Sequence, residues 1–173
     1  MHELAHTQAV CHALQIPLLA NDSLDLALAV GAAGVHLGQD DLPIAAARRI
    51  AAAPFLIGAT ATTTDQAIRA WEEGADYIGF GPVFPTSSKA NPASVKGLDG
   101  LAAACAAIPI PVIAIAGITP ERVRPALDAG AWGVAVMTAI SCADDPQAAT
   151  ARFREEIEEW TADRRPPTAE HWH

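Results

Sequence analysis

The chain has 173 residues, 51% of them hydrophobic and 18% charged, which is enough apolar material for a single domain with a large core. Lys and Arg total 11 against 20 Asp and Glu, a net charge of -9, so no basic face exists to track a nucleic-acid backbone and any anionic ligand has to be held locally. Cys11, Cys105 and Cys142 are odd in number and widely spaced, which argues against a disulfide framework or a metal cluster and fits a reducing cytoplasm. No apolar run is long enough to span a bilayer, and the N-terminus lacks the basic and hydrophobic regions of an export signal.

In chain order, a helical pattern to about Leu14 is followed by an apolar strand near 17–20 and a helix near 23–31. Further strands are expected near 34–37, 55–59, 77–80, 112–116 and 133–137, with helices near 43–52, 64–73, 98–107, 120–129 and 146–160. An internal repeat organises this alternation: Gly31-Ala32-Ala33-Gly34-Val35-His36-Leu37-Gly38, Gly74-Ala75-Asp76-Tyr77-Ile78-Gly79-Phe80-Gly81 and Gly130-Ala131-Trp132-Gly133-Val134-Ala135-Val136. Each copy follows an alanine-rich helical pattern and leads into an apolar run, so its first glycine reads as the left-handed residue past a helix end and the run as a buried strand. The copies start 43 and 56 residues apart, leaving room for another strand and helix between them. The segment 161–173, TADRRPPTAEHWH, has no apolar period and is expected to be a disordered tail beyond a single domain over 1–160.

Six apolar strands alternating with helices imply a parallel sheet covered on both faces, either a doubly wound open sheet or a (β/α)₈ barrel. No strand is followed by G-x-G-x-x-G opening a helix, so the Rossmann fingerprint is absent. Glycines instead recur at several strand ends, as where many loops build one site on the C-terminal rim of a barrel. A TIM barrel needs eight strands, so this one is read as incomplete, with two units lacking.

Candidate functional residues fall on that rim. Asn21-Asp22 follows one strand and Gly38-Gln39-Asp40-Asp41 the next; the carboxylates of Asp22 and Asp41 suit Mg²⁺, or else simply cap the helices behind them. The stretch 81–97 is too long for an ordinary connection and carries Thr86, Ser87, Ser88, Lys89 and Lys96, hydroxyls beside both lysines of the chain, which suits phosphate oxygens as well as a solvated loop. Gly117-Ile118-Thr119-Pro120-Glu121 reads as a helix start whose free N–H groups attract phosphate, and Thr138-Ala139-Ile140-Ser141 as a short extra helix completing such a site. His36 reads as a hydrogen-bonded core residue and Cys142 as an unactivated thiol, so neither is assigned a role.

Taken together, Asn21-Asp22, Gly34 to Asp41, Gly79-Phe80-Gly81-Pro82-Val83-Phe84-Pro85-Thr86, Lys89 and Ala114-Ile115-Ala116-Gly117-Ile118-Thr119 resemble the thiamine phosphate synthase and TenI family over residues 10–158. The resemblance implies a (β/α)₈ barrel that lacks its first two strands, the second of which carries a Gln-x-Arg-x-Lys pattern in the family. It implies a synthase that joins hydroxymethylpyrimidine diphosphate to thiazole phosphate with Mg²⁺, releasing diphosphate. Carried over position by position, Asp22 and Asp41 hold Mg²⁺, and Asn21, Thr60 and Lys89 are the catalytic contacts to the diphosphate. Thr86, Ser88, Gly117 and Thr138 then bind the thiazole phosphate. The sequence departs from the family pattern at Thr60, usually Ser, at Ser88, usually Thr, and at Ala116, where a second Gly is common. A TenI-like thiazole tautomerase and a truncated, non-catalytic phosphate-binding module are the alternatives; retention of Asn-Asp and Gln-x-Asp favours the synthase. Phosphorylated small molecules are the expected partners, with neither nucleic acid nor membrane. Two open sheet edges imply self-association, weak stability and low synthase activity.

Overall fold

A computed structural model describes residues 2–86 and 94–163. Six strands form one sheet in sequence order: β1 (Leu19–Asn21), β2 (Gly34–Leu37), β3 (Leu56–Ala61), β4 (Tyr77–Phe80), β5 (Val112–Ile115) and β6 (Gly133–Ala135). Every neighbouring pair is parallel. Between and around them run α1 (His2–Ala13), α2 (Leu24–Ala29), α3 (Ile44–Ile50), α4 (Thr64–Glu72), α5 (Gly97–Ala107), α6 (Pro120–Asp128), α7 (Thr138–Ser141) and α8 (Pro146–Asp163). The result is an incomplete β/α barrel, with β1 and β6 each paired on one side only among the described residues. None of the described helices is long and apolar enough to cross a membrane.

The repeated motif closes each helix in the same way. Gly31, Gly74 and Gly130 have φ of 66°, 100° and 101°. The alanine after each sends its N–H back to an alanine in the last turn: Ala32 to Ala27, Ala75 to Ala70 and Ala131 to Ala126, at 2.9, 2.9 and 3.2 Å. This six-to-one bond is the Schellman closure, and the left-handed turn it needs is open to glycine without steric cost. The next residue in each copy, Ala33, Asp76 or Trp132, donates at 2.8 Å to Leu18, Ile57 or Val112 at the start of the neighbouring strand. Three helix ends thus feed three strands through one hydrogen-bond pattern.

Alternation along the strands separates two faces. Val35, Leu37, Ile57, Ala59, Ala61, Ile78 and Phe80 are buried beneath the helices, which meet them through Ala27, Ala47, Ala67, Ala104 and Ala126, all fully buried. Alanine brings helix and sheet backbones close, so the core is dense without large side chains from the helices. His36, Thr60 and Tyr77 lie on the opposite, concave face.

At the end of the sheet away from the strand C-termini, Arg48 of α3 ties three connections together. It donates to the carbonyls of Gly74 at 2.8 Å and Phe55 at 2.8 Å and pairs with Asp76, whose Oδ2 also accepts the Ile57 N–H at 2.7 Å. The last helix extends three residues beyond the expected start of the tail, to Asp163. Its final turns are held by Arg124, which reaches Glu156, Glu159 and Asp163, and by Trp160, whose indole N–H donates to Asp128 at 2.8 Å. The rest of the expected tail, 164–173, lies outside the described residues.

Arg48→Ala leaves the Gly74 and Phe55 carbonyls without this donor and Asp76 without its cation, and is expected to cost about 2–3 kcal/mol in urea unfolding. Arg48→Lys should recover less than half, because a single ammonium cannot span the same acceptors.

Candidate active site

Parallel pairing brings the C-terminal ends of all six strands to one rim. There a cavity of about 720 Å³ is lined by Asn21 after β1, Thr60 and Thr62 of the β3 end, Thr86 after β4, Gly117, Thr119 and Arg122 after β5, and Thr138 after β6. Of the residues read from the sequence, Asn21, Thr60, Thr86, Gly117 and Thr138 are therefore gathered at a single opening. Ser88 and Lys89 lie outside the described residues. Lys96 sits before α5, bonds Ser94 at 2.9 Å and does not line the cavity.

Behind Thr60 stands a polar network on the concave face. His36 contacts the Tyr77 hydroxyl through Nδ1 and the Thr60 hydroxyl through Nε2, both at 2.9 Å. The ladder explains how three residues from three strands meet. Gly58 pairs with His36 on one side and Tyr77 on the other, and a Cβ placed on it would come within 2.1 Å of the Tyr77 ring. Gly79 pairs with Thr60, and a Cβ there would lie 3.0 Å from the His36 ring. The two missing side chains make the room that the imidazole and phenol occupy. Burial pushes the Tyr77 phenol up to about 12, so it stays neutral through the physiological range.

Beside it, the loop after β4 is laid onto the loop after β5. Val83 N–H donates to Ile115 O at 3.0 Å and Phe84 N–H to Ala116 O at 3.3 Å. The approach is so close that a Cβ on Gly117 would stand 2.4 Å from the Pro85 carbonyl, and Gly117 itself has φ 68°. Ala116 also has φ 70°, a left-handed conformation that is costly for any residue with a Cβ. Arg122 locks this junction: Nη1 donates to Gly117 O at 2.6 Å, and the guanidinium lies 4.8 Å from the Phe84 ring centroid.

The helix start after β5 is less open to an anion than its pattern suggests. Pro120 has no N–H, the Arg122 N–H is taken by Thr119 O at 2.9 Å, and the Glu121 carboxylate folds back on its own N–H. Thr119 occupies the cap position without its side chain accepting a helix N–H.

Asp22 and Asp41 both follow neighbouring strands and so share the rim, but neither lines the large cavity. Asp22 has φ 67°, with its N–H on the His36 carbonyl at 2.8 Å. Asp41 accepts the Gly38 N–H through Oδ2 at 2.6 Å, closing its own loop rather than capping α3, and it borders a smaller recess of about 190 Å³. Among the described residues neither carboxylate pairs with Lys or Arg. Sequence reading missed Arg122 and Thr62; His36 is hydrogen-bonded as expected, but its partners Tyr77 and Thr60 come from other strands and follow from the register, which the sequence does not display.

The chain matches the thiamine monophosphate synthase family over residues 1–140. It is 58% identical over 156 residues to the thiamine-phosphate synthase of Salinibacter ruber, covering 90% of this chain and 69% of that protein. It is 47% identical to a thiamine biosynthesis bifunctional protein of Symbiobacterium thermophilum, covering 88% of this chain and 32% of that protein. Among solved structures, the thiamine phosphate pyrophosphorylase of Pyrococcus furiosus superposes with a TM-score of 0.83 at 38% identity, covering 91% of this chain and 76% of that one.

Because the Tyr77 phenol ionises at about 10 when unfolded and about 12 when folded, the unfolded chain loses its proton first as pH rises. The stability contributed is complete below pH 10 and falls away between 10 and 12. Denaturation at a series of alkaline pH values should show this decline, and Tyr77→Phe should reduce its slope. A second expectation concerns Ala116: Ala116→Gly removes the left-handed penalty and should raise stability by about 1 kcal/mol, read as an upward shift in Tm.

Proposed function

The chain belongs to the thiamine monophosphate synthase family, and on that footing we propose that it is the transferase that joins hydroxymethylpyrimidine diphosphate to thiazole phosphate, giving thiamine phosphate and diphosphate. The observation that carries this reading is the convergence of Asn21, Thr60, Thr86, Gly117 and Thr138, from five separate strand ends, on one cavity. Those residue types supply neutral donors, which suit phosphate oxygens in an acidic protein.

In the reaction the C–O bond to the diphosphate breaks with its electron pair leaving on oxygen, and the thiazole nitrogen lone pair captures the resulting pyrimidine carbocation. The demand on the protein is to stabilise charge on the departing diphosphate rather than to remove a proton. Asn21 and Thr60 serve that end of the cavity, and Lys89, whose place is outside the described residues, is assigned to the diphosphate by the family resemblance alone. Thr60 is set as a donor from behind in the tautomer that carries the proton on His36 Nε2: that N–H donates to the Thr60 oxygen, Nδ1 accepts from the Tyr77 phenol, and the Thr60 proton is left for the leaving group. Thr86, Ser88, Gly117 and Thr138 hold the thiazole phosphate.

Asp22 and Asp41 fit Mg²⁺: they are hard oxygen donors on adjacent loops, uncommitted to Lys or Arg among the described residues, and Asp41 keeps Oδ1 free of the Gly38 bond. When bound there the ion supplies positive charge to the diphosphate oxygens. A cytoplasmic location fits this chemistry, and the single-sided pairing of β1 and β6, with Trp132 67% exposed beside β6, suits self-association.

Incubating the chain with both substrates and Mg²⁺ should yield thiamine phosphate and diphosphate in equal amounts, at the low rate expected of the incomplete barrel, and chelation should stop it. Thr60→Ala is expected to lower turnover about 100-fold, with Thr60→Ser restoring much of it. Interconversion of thiazole phosphate tautomers without thiamine phosphate would replace the synthase reading with an isomerase one, and binding without turnover would replace it with a non-catalytic module.

A further inference from the structure

We propose that Arg122 reads the phosphate of the phosphorylated co-substrate, a specificity residue that separates the phosphate ester from the corresponding alcohol; the identity of that co-substrate rests on the synthase reading above. The inference comes from how the arginines are matched with acids. Arg48 pairs with Asp76, Arg124 with Glu156, Glu159 and Asp163, Arg152 with Glu121, and Arg154 with Glu158. Arg49 and Arg69 are exposed to water. Among the described residues Arg122 alone is a half-buried arginine with no carboxylate partner, in a chain with 20 acidic residues. Its neighbour in sequence is not available to it. The Glu121 carboxyl is held below its usual range chiefly by its own backbone N–H, then by the Thr119 hydroxyl, and it also meets Arg152.

A guanidinium stays charged at any ordinary pH, and partial desolvation without a counter-charge is unfavourable. The partners it does have are neutral: the Gly117 carbonyl on Nη1 and the Phe84 ring. Those contacts fix its place and use one arm of the fork. The remaining N–H groups belong to a side chain that lines the cavity together with Gly117, Thr119 and Thr138. A planar fork of donors matches two oxygens of a phosphate, and no neutral hydroxyl compound would replace the missing charge. By position, Arg122 follows β5, whereas Asn21 and Thr60 close β1 and β3, so it serves the phosphate-ester end rather than the diphosphate end. The acidic chain thus holds a cation in reserve where its helix-start amides are already taken.

The test is calorimetric titration of the whole chain with thiazole phosphate, with its dephosphorylated alcohol, and with inorganic phosphate. Arg122→Gln is expected to weaken the ester and inorganic phosphate about 10- to 100-fold while shifting the alcohol by less than about twofold. Arg122→Lys, which keeps the charge and loses the fork, should fall between. Equal weakening of ester and alcohol would mean that Arg122 only props the Gly117 junction, and no change in either would mean that it faces no phosphate; both overturn the proposal. Thermal melting of each variant reports folding, and if Arg122→Gln does not fold, the same ester-against-alcohol comparison is made with Arg122→Lys. A chain that binds phosphate through Arg122 yet makes no thiamine phosphate refutes the synthase reading and leaves this one standing. A wild-type chain that binds neither the ester nor inorganic phosphate refutes this one.

Discussion

The parallel ladder from β2 through β4 is the constraint on which the site depends. Its register sets Gly58 between His36 and Tyr77 and sets Gly79 opposite Thr60. A shift by one residue would turn His36 and Thr60 under the helices and expose Val35 and Ile57 to the cavity. The hydrophobic layer therefore protects the polar one: burial of Leu37, Ile57, Ile78 and Phe80 on the helix side is worth about 1.5–3 kcal/mol per side chain, and that burial is lost in any other register. The geometry of the polar network on the concave face is a by-product of packing on the convex face.

Glycine is used here chiefly as an absence of side chain. At Gly58 and Gly79 the backbone is ordinary strand, and what matters is the volume surrendered to Tyr77 and His36. At Gly117 two demands coincide, a left-handed φ and the Pro85 carbonyl pressed against the Cα. This contact lets the loop after β4 lie on the loop after β5, and it is how Thr86 reaches the same opening as Thr138.

Much of this was legible in the sequence because it rests on local pattern. The Gly-Ala repeat announced the helix closures, and their positive φ values and shared hydrogen bonds follow from that pattern alone. Asn21, Thr86, Gly117 and Thr138 could be placed on one rim because each ends or follows a strand of the same direction, whereas Thr60 was reached only through the family resemblance. Tertiary pairing was not legible. Arg122 and Arg124 sit two apart in Thr-Pro-Glu-Arg-Val-Arg, on different sides of α6, and nothing local says which meets the acids of α8 and which the cavity. The helix-start amides looked free for phosphate because the pattern does not show Glu121 folding back on its own N–H. The fate of Asp41 was hidden for a related reason: its bond to Gly38 depends on a turn whose shape the residue types permit but do not dictate.

Strain is distributed in a way that fits these roles. Asp22 and Ala116, at φ 67° and 70°, follow directly on β1 and β5, where the chain must leave the sheet and turn over the rim. Left-handed backbone costs a residue with a Cβ on the order of 1–2 kcal/mol and persists only where surrounding bonds over-determine it. Both positions are so held. The Asp22 N–H is fixed on the carbonyl of His36, the residue that orders Thr60, and the Ala116 carbonyl is fixed by the Phe84 N–H beneath Arg122. The turn that aims Asn21 is thereby coupled to the histidine network, and the turn that aims Gly117 to the arginine. Relaxing either turn would move a donor at one end of the cavity, so the strain is maintained by the contacts that make the site.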